Sequence, residues 1–395
     1  MEAVNLIIIY LISVLAVPLI DVFWRGEISN GQFVYLLVAV LPAILVLIIN
    51  GPVSLKKHNS LKRSSLDFKA ALRPSFLVIL LLYIYVLNYS IYTSIISLTD
   101  NDGSVTIARV YTENRYDDTT ESLLTLTDRI LLLFYYPSLI LLMNTGVATT
   151  GRFRAIMIAG RCCAWFGLGF TPLMLGAKSI VITWLSIYIL TNVLHRNRLL
   201  LFDMPKILKL FIVLILALCF AVYIHLNRAA GIDLNDLIEK LLYSYVLAPY
   251  ILFVQWFDTI CDYSCIFPRS SGFYTFQGIA KLFTDIESTR SEAGYFSLGD
   301  SAYRSNVYTA FRWLIMDFGI LGAIFFMVGL FSLLFFSVKR LSRKTGKLYL
   351  ALFYLIGVFI LFSLFGSFYK YTSNYFIIFG CLFLSLHGST SRLRL

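Results

Sequence analysis

Asp317 stands inside an apolar run, WLIMDFGILGAIFF. A carboxylate at the middle of a bilayer costs about 2.5–3.5 kcal/mol on insertion scales, so something must offset it. It would act as a general base or orient a substrate hydroxyl. Otherwise it makes a helix-packing hydrogen bond or ion pair, with Gly319 and Gly322 letting a second helix approach. Lys178, in LGAKSIVITW, lies at the junction of two apolar runs. Its stem either snorkels to the headgroups or brings a cation to a lipid pyrophosphate. Arg228, in HLNRAAGIDL, follows another apolar run. Its planar fork suits phosphate oxygens, and interfacial anchoring is the alternative. The stretch YRSNVYTAFRWLIMDFG adds Arg304, Asn306, Tyr308, Thr309 and Arg312. Tyr308 and Arg312 are spaced to share a helix face. Arg312 and Asp317 are separated by about 140° around an ideal helix and are not expected to pair. A helix starting here offers free N–H groups to an anion. Arg290, in the preceding loop, is either a further anion ligand or a solvated charge.

The elements that must position these groups are apolar to a degree that excludes an ordinary soluble domain. Of 395 residues, 59% are hydrophobic and 14% charged, and the mean hydropathy is +0.79. Soluble domains average about 45–50% apolar and about 25% charged. Ten apolar segments are long enough, or nearly so, to cross about 30 Å of hydrocarbon: 4–20, 33–50, 75–97, 129–147, 155–175, 178–194, 207–226, 311–338, 348–366 and 373–388. Helices are expected, because lipid offers backbone groups no partner. The ten-residue alternation of a membrane barrel is absent.

The net charge of +11 does not point to nucleic acid, because the bases sit mostly in short loops. Loops 51–74, 148–154, 195–206 and 339–347 and the tail are basic, and all fall on one side when ten helices are counted. That side is cytoplasmic by the positive-inside rule, and both termini lie there. Segments 98–128 and 227–310 hold most of the acids and face outward. Stretch 241–260 is apolar too, but an extra crossing there would put loop 339–347 outside. It is therefore expected to be re-entrant or interfacial, bent near Pro249. The first segment follows Glu2 rather than a basic region and is expected to be retained. Cys261 and Cys265 fall in an outward loop that permits a disulfide, although helical spacing fits them equally. The four histidines are dispersed, and no phosphate-binding loop or zinc motif is found.

The expected fold is an all-α, polytopic transmembrane bundle of about ten helices with a large late extracytoplasmic loop. Its parts would be an N-terminal bundle over 1–226, the loop region 227–310, and C-terminal helices over 311–395. The stretch 305–323, SNVYTAFRWLIMDFGILGA, resembles the Wzy-type O-antigen and capsule polymerases at Asn306, Tyr308, Thr309, Asp317, Phe318, Gly319 and Gly322. NRAAG at Arg228 and GFYTFQGIAKLF at 272–283 look like the same family. The resemblance implies a glycosyltransferase of the bacterial inner membrane that joins undecaprenyl-pyrophosphate-linked oligosaccharides without a metal. Arg228, Lys178, Arg304 and Arg312 would then meet pyrophosphate, with Arg290 near them. Asp317, Asn306, Tyr308 and Thr309 would lie near the sugar. A chain-length regulator protein is an expected further partner. A lipid-oligosaccharide flippase and an O-antigen ligase remain as alternatives.

Overall fold

The structure is a computed structural model. It describes residues 2–25, 28–60, 74–96, 125–145, 152–175, 178–194, 247–261, 265, 267–268, 272–280, 296–297, 304–305, 309–341, 347–364, 366, 368 and 372–382. The described residues are almost wholly helical. In chain order the helices are α1 (Glu2–Arg25), α2 (Asn30–Ala39), α3 (Leu41–Ser60), α4 (Pro74–Ile96), α5 (Leu126–Leu133), α6 (Tyr135–Asn144), α7 (Arg152–Met174) and α8 (Lys178–Leu194). They continue with α9 (Ala248–Trp256), α10 (Gln277–Ala280), α11 (Ala310–Leu341), α12 (Lys347–Phe362) and α13 (Thr372–Tyr375). One antiparallel ladder pairs β1 (Phe296–Ser297) with β2 (Arg304–Ser305).

Among the described residues, five helical stretches are long and apolar enough to cross a membrane: Asn30–Asn50, Pro74–Ile96, Leu126–Asn144, Arg154–Pro172 and Ala310–Leu341. Three shorter apolar helices, Ala3–Leu19, Ile180–Leu194 and Leu348–Phe362, accompany them. Large apolar side chains such as Val78, Phe166, Leu321 and Phe325 lie on outward faces. Water would penalise those faces and a bilayer would not. The chain is a multi-pass helical membrane protein. The expected segment 207–226 lies outside the described residues, as does the end of 373–388.

The chain divides into two compact units that are not successive in sequence. The first holds α1–α3 and α9–α13. Tyr10 on α1 donates to the Ala39 carbonyl on α2 at 2.8 Å and packs edge-on against Phe331 of α11, 5.2 Å between centroids. Ser29 and Gln32 form a capping box that starts α2. Tyr35, one turn further on, meets Tyr250, Phe253 and Phe311 at 5.0–5.5 Å. α11 and α12 form an antiparallel hairpin. Phe336 meets Tyr349 near its connection, Phe326 meets Phe359 farther along, and the Ala310 amide donates to the Ser363 carbonyl at 2.7 Å at the open end.

The second unit holds α4–α8 and the helical stretch 377–382. α4 and α7 run parallel. A Cβ on Gly160 would meet Leu77, and one on Gly167 would come within 2.3 Å of Ile84. The Asn88 side chain donates to the Gly167 carbonyl at 2.9 Å and accepts from the Thr171 hydroxyl at 2.9 Å. Between these helices α5 and α6 run the opposite way. Asp128 accepts from Ser90 and Ser94 of α4, and the Tyr135 hydroxyl donates to the Leu168 carbonyl of α7. Arg161 of α7 donates to the Leu142 and Thr145 carbonyls at 2.8 and 2.6 Å. It supplies donors to carbonyls that the end of α6 leaves open.

Candidate functional site

α11 is one helix by hydrogen bonding but two by backbone direction. Gly319 has φ 69° and ψ 174°, a region essentially closed to residues with a Cβ. The break separates a short half, from Ala310 to Phe318, from the long half that follows. The sequence reading takes Gly319 and Gly322 as small residues admitting another helix. Here Gly319 makes the break, and a Cβ on Gly322 would strike the Phe318 side chain at 2.7 Å, within the same helix.

The short half carries two expected site residues, Arg312 and Asp317, and Thr309 directly precedes it; all three are buried. Arg312 is only 3% exposed. Its guanidinium carbon lies 5.3 Å from the centroid of Trp256 and 5.0 Å from that of Trp313, within cation–π range of both indoles. Trp313 in turn stacks on Tyr274 at 5.6 Å and 24°. The Thr309 hydroxyl has no hydrogen-bond partner among the described residues.

Asp317 is fully buried, and its carboxylate is engaged by backbone. Oδ1 accepts from the Tyr274 amide at 3.1 Å and Oδ2 from the Thr275 amide at 2.6 Å. These amides belong to a turn that opens at Gly272, φ 94°, and runs into α10. An anion beside the open amides of a helical turn is favourably placed. Two stretches distant in sequence, one around Asp-Phe-Gly and one around GFYTFQGIA, thus meet at a single carboxylate. The sequence reading finds Arg312 and Asp317 but misses Trp256, Trp313 and Tyr274 as their neighbours.

α9 lies under this cluster. Seven of its nine residues are buried, Trp256 among them. A π-helical turn, Phe257–Cys261, follows. There Asp258 accepts from the Gly31 amide at 2.7 Å, and Cys261 is disulfide-bonded to Cys265. A Cβ on Gly31 would come within 2.7 Å of the Val254 carbonyl, so only glycine allows α9 this close to α2. On the same side, Asp21 accepts from Gln32 and from the Tyr250 hydroxyl.

No family model, curated protein or solved structure matches the chain.

Of the other expected site residues, Lys178 opens α8 in the second unit, and Arg304 lies in β2, opposite Ser297. Arg228, Arg290, Asn306 and Tyr308 lie outside the described residues. Among the described residues no group of three His, Cys, Asp or Glu side chains gathers as a metal ion would require.

Proposed function

We propose that this chain polymerises polyprenyl-pyrophosphate-linked oligosaccharide repeat units at the outer face of a bacterial inner membrane, as a bundle of about ten spans with both termini in the cytoplasm. The observation that carries this reading is the buried Arg312, held between two indoles at the short half of a broken apolar helix, with a tyrosine stacked on one of them. An arginine so placed suits a phosphate anion. Flat aromatic faces suit the apolar face of a sugar ring. The reaction needs both. An acceptor sugar hydroxyl attacks the donor's anomeric carbon and forms the new C–O bond. The bond from that carbon to pyrophosphate breaks, its electron pair leaves with the lipid pyrophosphate, and the hydroxyl proton passes to a base or to water. Arg312 would stabilise the charge that grows on the leaving group. Arg290 and Arg304 are further cations proposed for pyrophosphate, and the family resemblance proposes Arg228 and Lys178 as pyrophosphate ligands as well. Thr309, Asn306 and Tyr308 are proposed near the sugar. α9 is read as part of the re-entrant segment expected over 241–260, since an extra crossing there would carry the basic loop 339–347 to the outside.

Purified chain in nanodiscs, given undecaprenyl-pyrophosphate-linked repeat units, should build a ladder of products. Arg312→Ala should lower turnover about 10²–10³-fold while the protein stays monodisperse. In a deletion strain the lipid core should carry single repeat units. Complete loss of surface glycan would instead indicate a flippase or a ligase and sink the proposal.

A further inference from the structure

Resting on the reading above, we infer that Asp317 is a positioning residue: its carboxylate latches the 272–276 turn onto the short half of α11 and so sets the Tyr274–Trp313–Arg312 stack, and it does not take the acceptor's proton. A general base needs a lone pair directed at substrate. Asp317 is fully buried, and each of its oxygens accepts a backbone amide, from Tyr274 and from Thr275. The consequence of those bonds is geometric. They fix the backbone at Tyr274, whose ring lies 5.6 Å from Trp313. Trp313 also faces the Arg312 guanidinium at 5.0 Å. The turn is held from behind as well: Phe276 packs on Phe326, which stacks on Phe318, the residue after Asp317. The carboxylate thus acts on the binding cation through a chain of contacts.

Asp317→Asn tests this, because an amide presents one oxygen and one NH2 where two backbone donors converge. Whichever way it is turned, one backbone amide meets another donor. Hydrogen–deuterium exchange of full-length protein in nanodiscs should be faster across 272–280 in the variant, by about tenfold or more, the worth of one charge-assisted bond. In the polymerisation assay the KM for the lipid-linked donor should rise about tenfold as the Tyr274–Trp313 face shifts, with kcat falling by no more than about tenfold through the displaced Arg312. Tyr274→Leu should reproduce the KM rise, and the double variant should fall short of the product of the two effects, as coupled neighbours do. Unchanged exchange in Asp317→Asn overturns the inference. So does a kcat loss of about 10²–10⁴-fold at unchanged KM, which is what a missing base would give. If wild-type protein makes no polymer but Asp317→Asn still speeds exchange, the function reading fails and the latch stands.

Discussion

At the scale of single residues, the site turns on how a buried guanidinium is held. Arg312 has indole faces at 5.3 and 5.0 Å. Cation–π contacts are worth about 0.5–2 kcal/mol. Trp256→Leu should therefore weaken donor binding by a factor of about 2–30, read as KM, without unfolding a helix that its other neighbours still anchor. Arg312→Lys should recover little of the loss in Arg312→Ala, since an ammonium has neither the flat face for two rings nor the fork for a phosphate. An Arg312→Lys variant as active as wild type would leave a point charge as the whole role. Arg312 and Asp317 were legible in the sequence because a charge inside an apolar run stands out. Trp256 and Tyr274 were not. Aromatic residues make up 16% of the chain, so no single ring signals its partner, and these two reach α11 from distant segments. The engagement of Asp317 was equally hidden, because its partners are backbone amides, which every residue but proline carries.

At the scale of elements, the break in α11 decides where those side chains lie. Hydropathy runs through it without interruption, so the sequence predicts one helix over 311–338. What marks the break is a backbone angle, φ 69° at Gly319, and hydropathy does not encode angles. Gly319→Ala should destabilise the protein by about 1–3 kcal/mol, seen as a lower unfolding temperature in detergent. Gly329→Ala, in the same helix with nothing within 4 Å of its Cβ position, is the matched control and should be neutral or slightly stabilising. Equal effects at both sites would mean that the break is not needed. In the second unit Gly167→Ala should cost about 1–3 kcal/mol by overpacking, because its Cβ would lie 2.3 Å from Ile84. The role of Gly167 is contact rather than conformation, and it becomes visible only once α4 and α7 are known to be parallel.

At the scale of the whole molecule, helix direction inside each unit tests the charge ledger. In the first unit α3 and α11 end, and α12 begins, at lysines and arginines: Lys56 and Lys57, Lys339 and Arg340, and Lys347. α2, which leads into α3, starts at the Ser29 cap beside Asp258 and the disulfide-bonded turn, and the other end of the α11–α12 hairpin closes through Ala310 and Ser363. In the second unit α4 and α7, which both follow basic loops, run parallel with α5 and α6 reversed between them. A bundle that crosses at each apolar segment requires this alternation, and loop charge alone proposes which ends face the cytoplasm. The oxidised Cys261–Cys265 pair adds a chemical constraint, since disulfides persist outside the cytoplasm. With the native free thiols replaced, cysteines at Ile28 and Thr259 should react with a membrane-impermeant maleimide added to whole cells. Cysteines at Arg152 and Lys347 should react only after lysis. Labelling at Lys347 from outside would break the ledger at a definite place. An extra crossing would then have to lie between the Ser29 end of α2 and the start of α12, and the stretch leading into α9 would be a true span rather than a re-entrant one. The aromatic cage around Arg312 would survive that result as a cluster of contacts. Its side of the membrane would not, and a donor presented on the outer leaflet could no longer reach it.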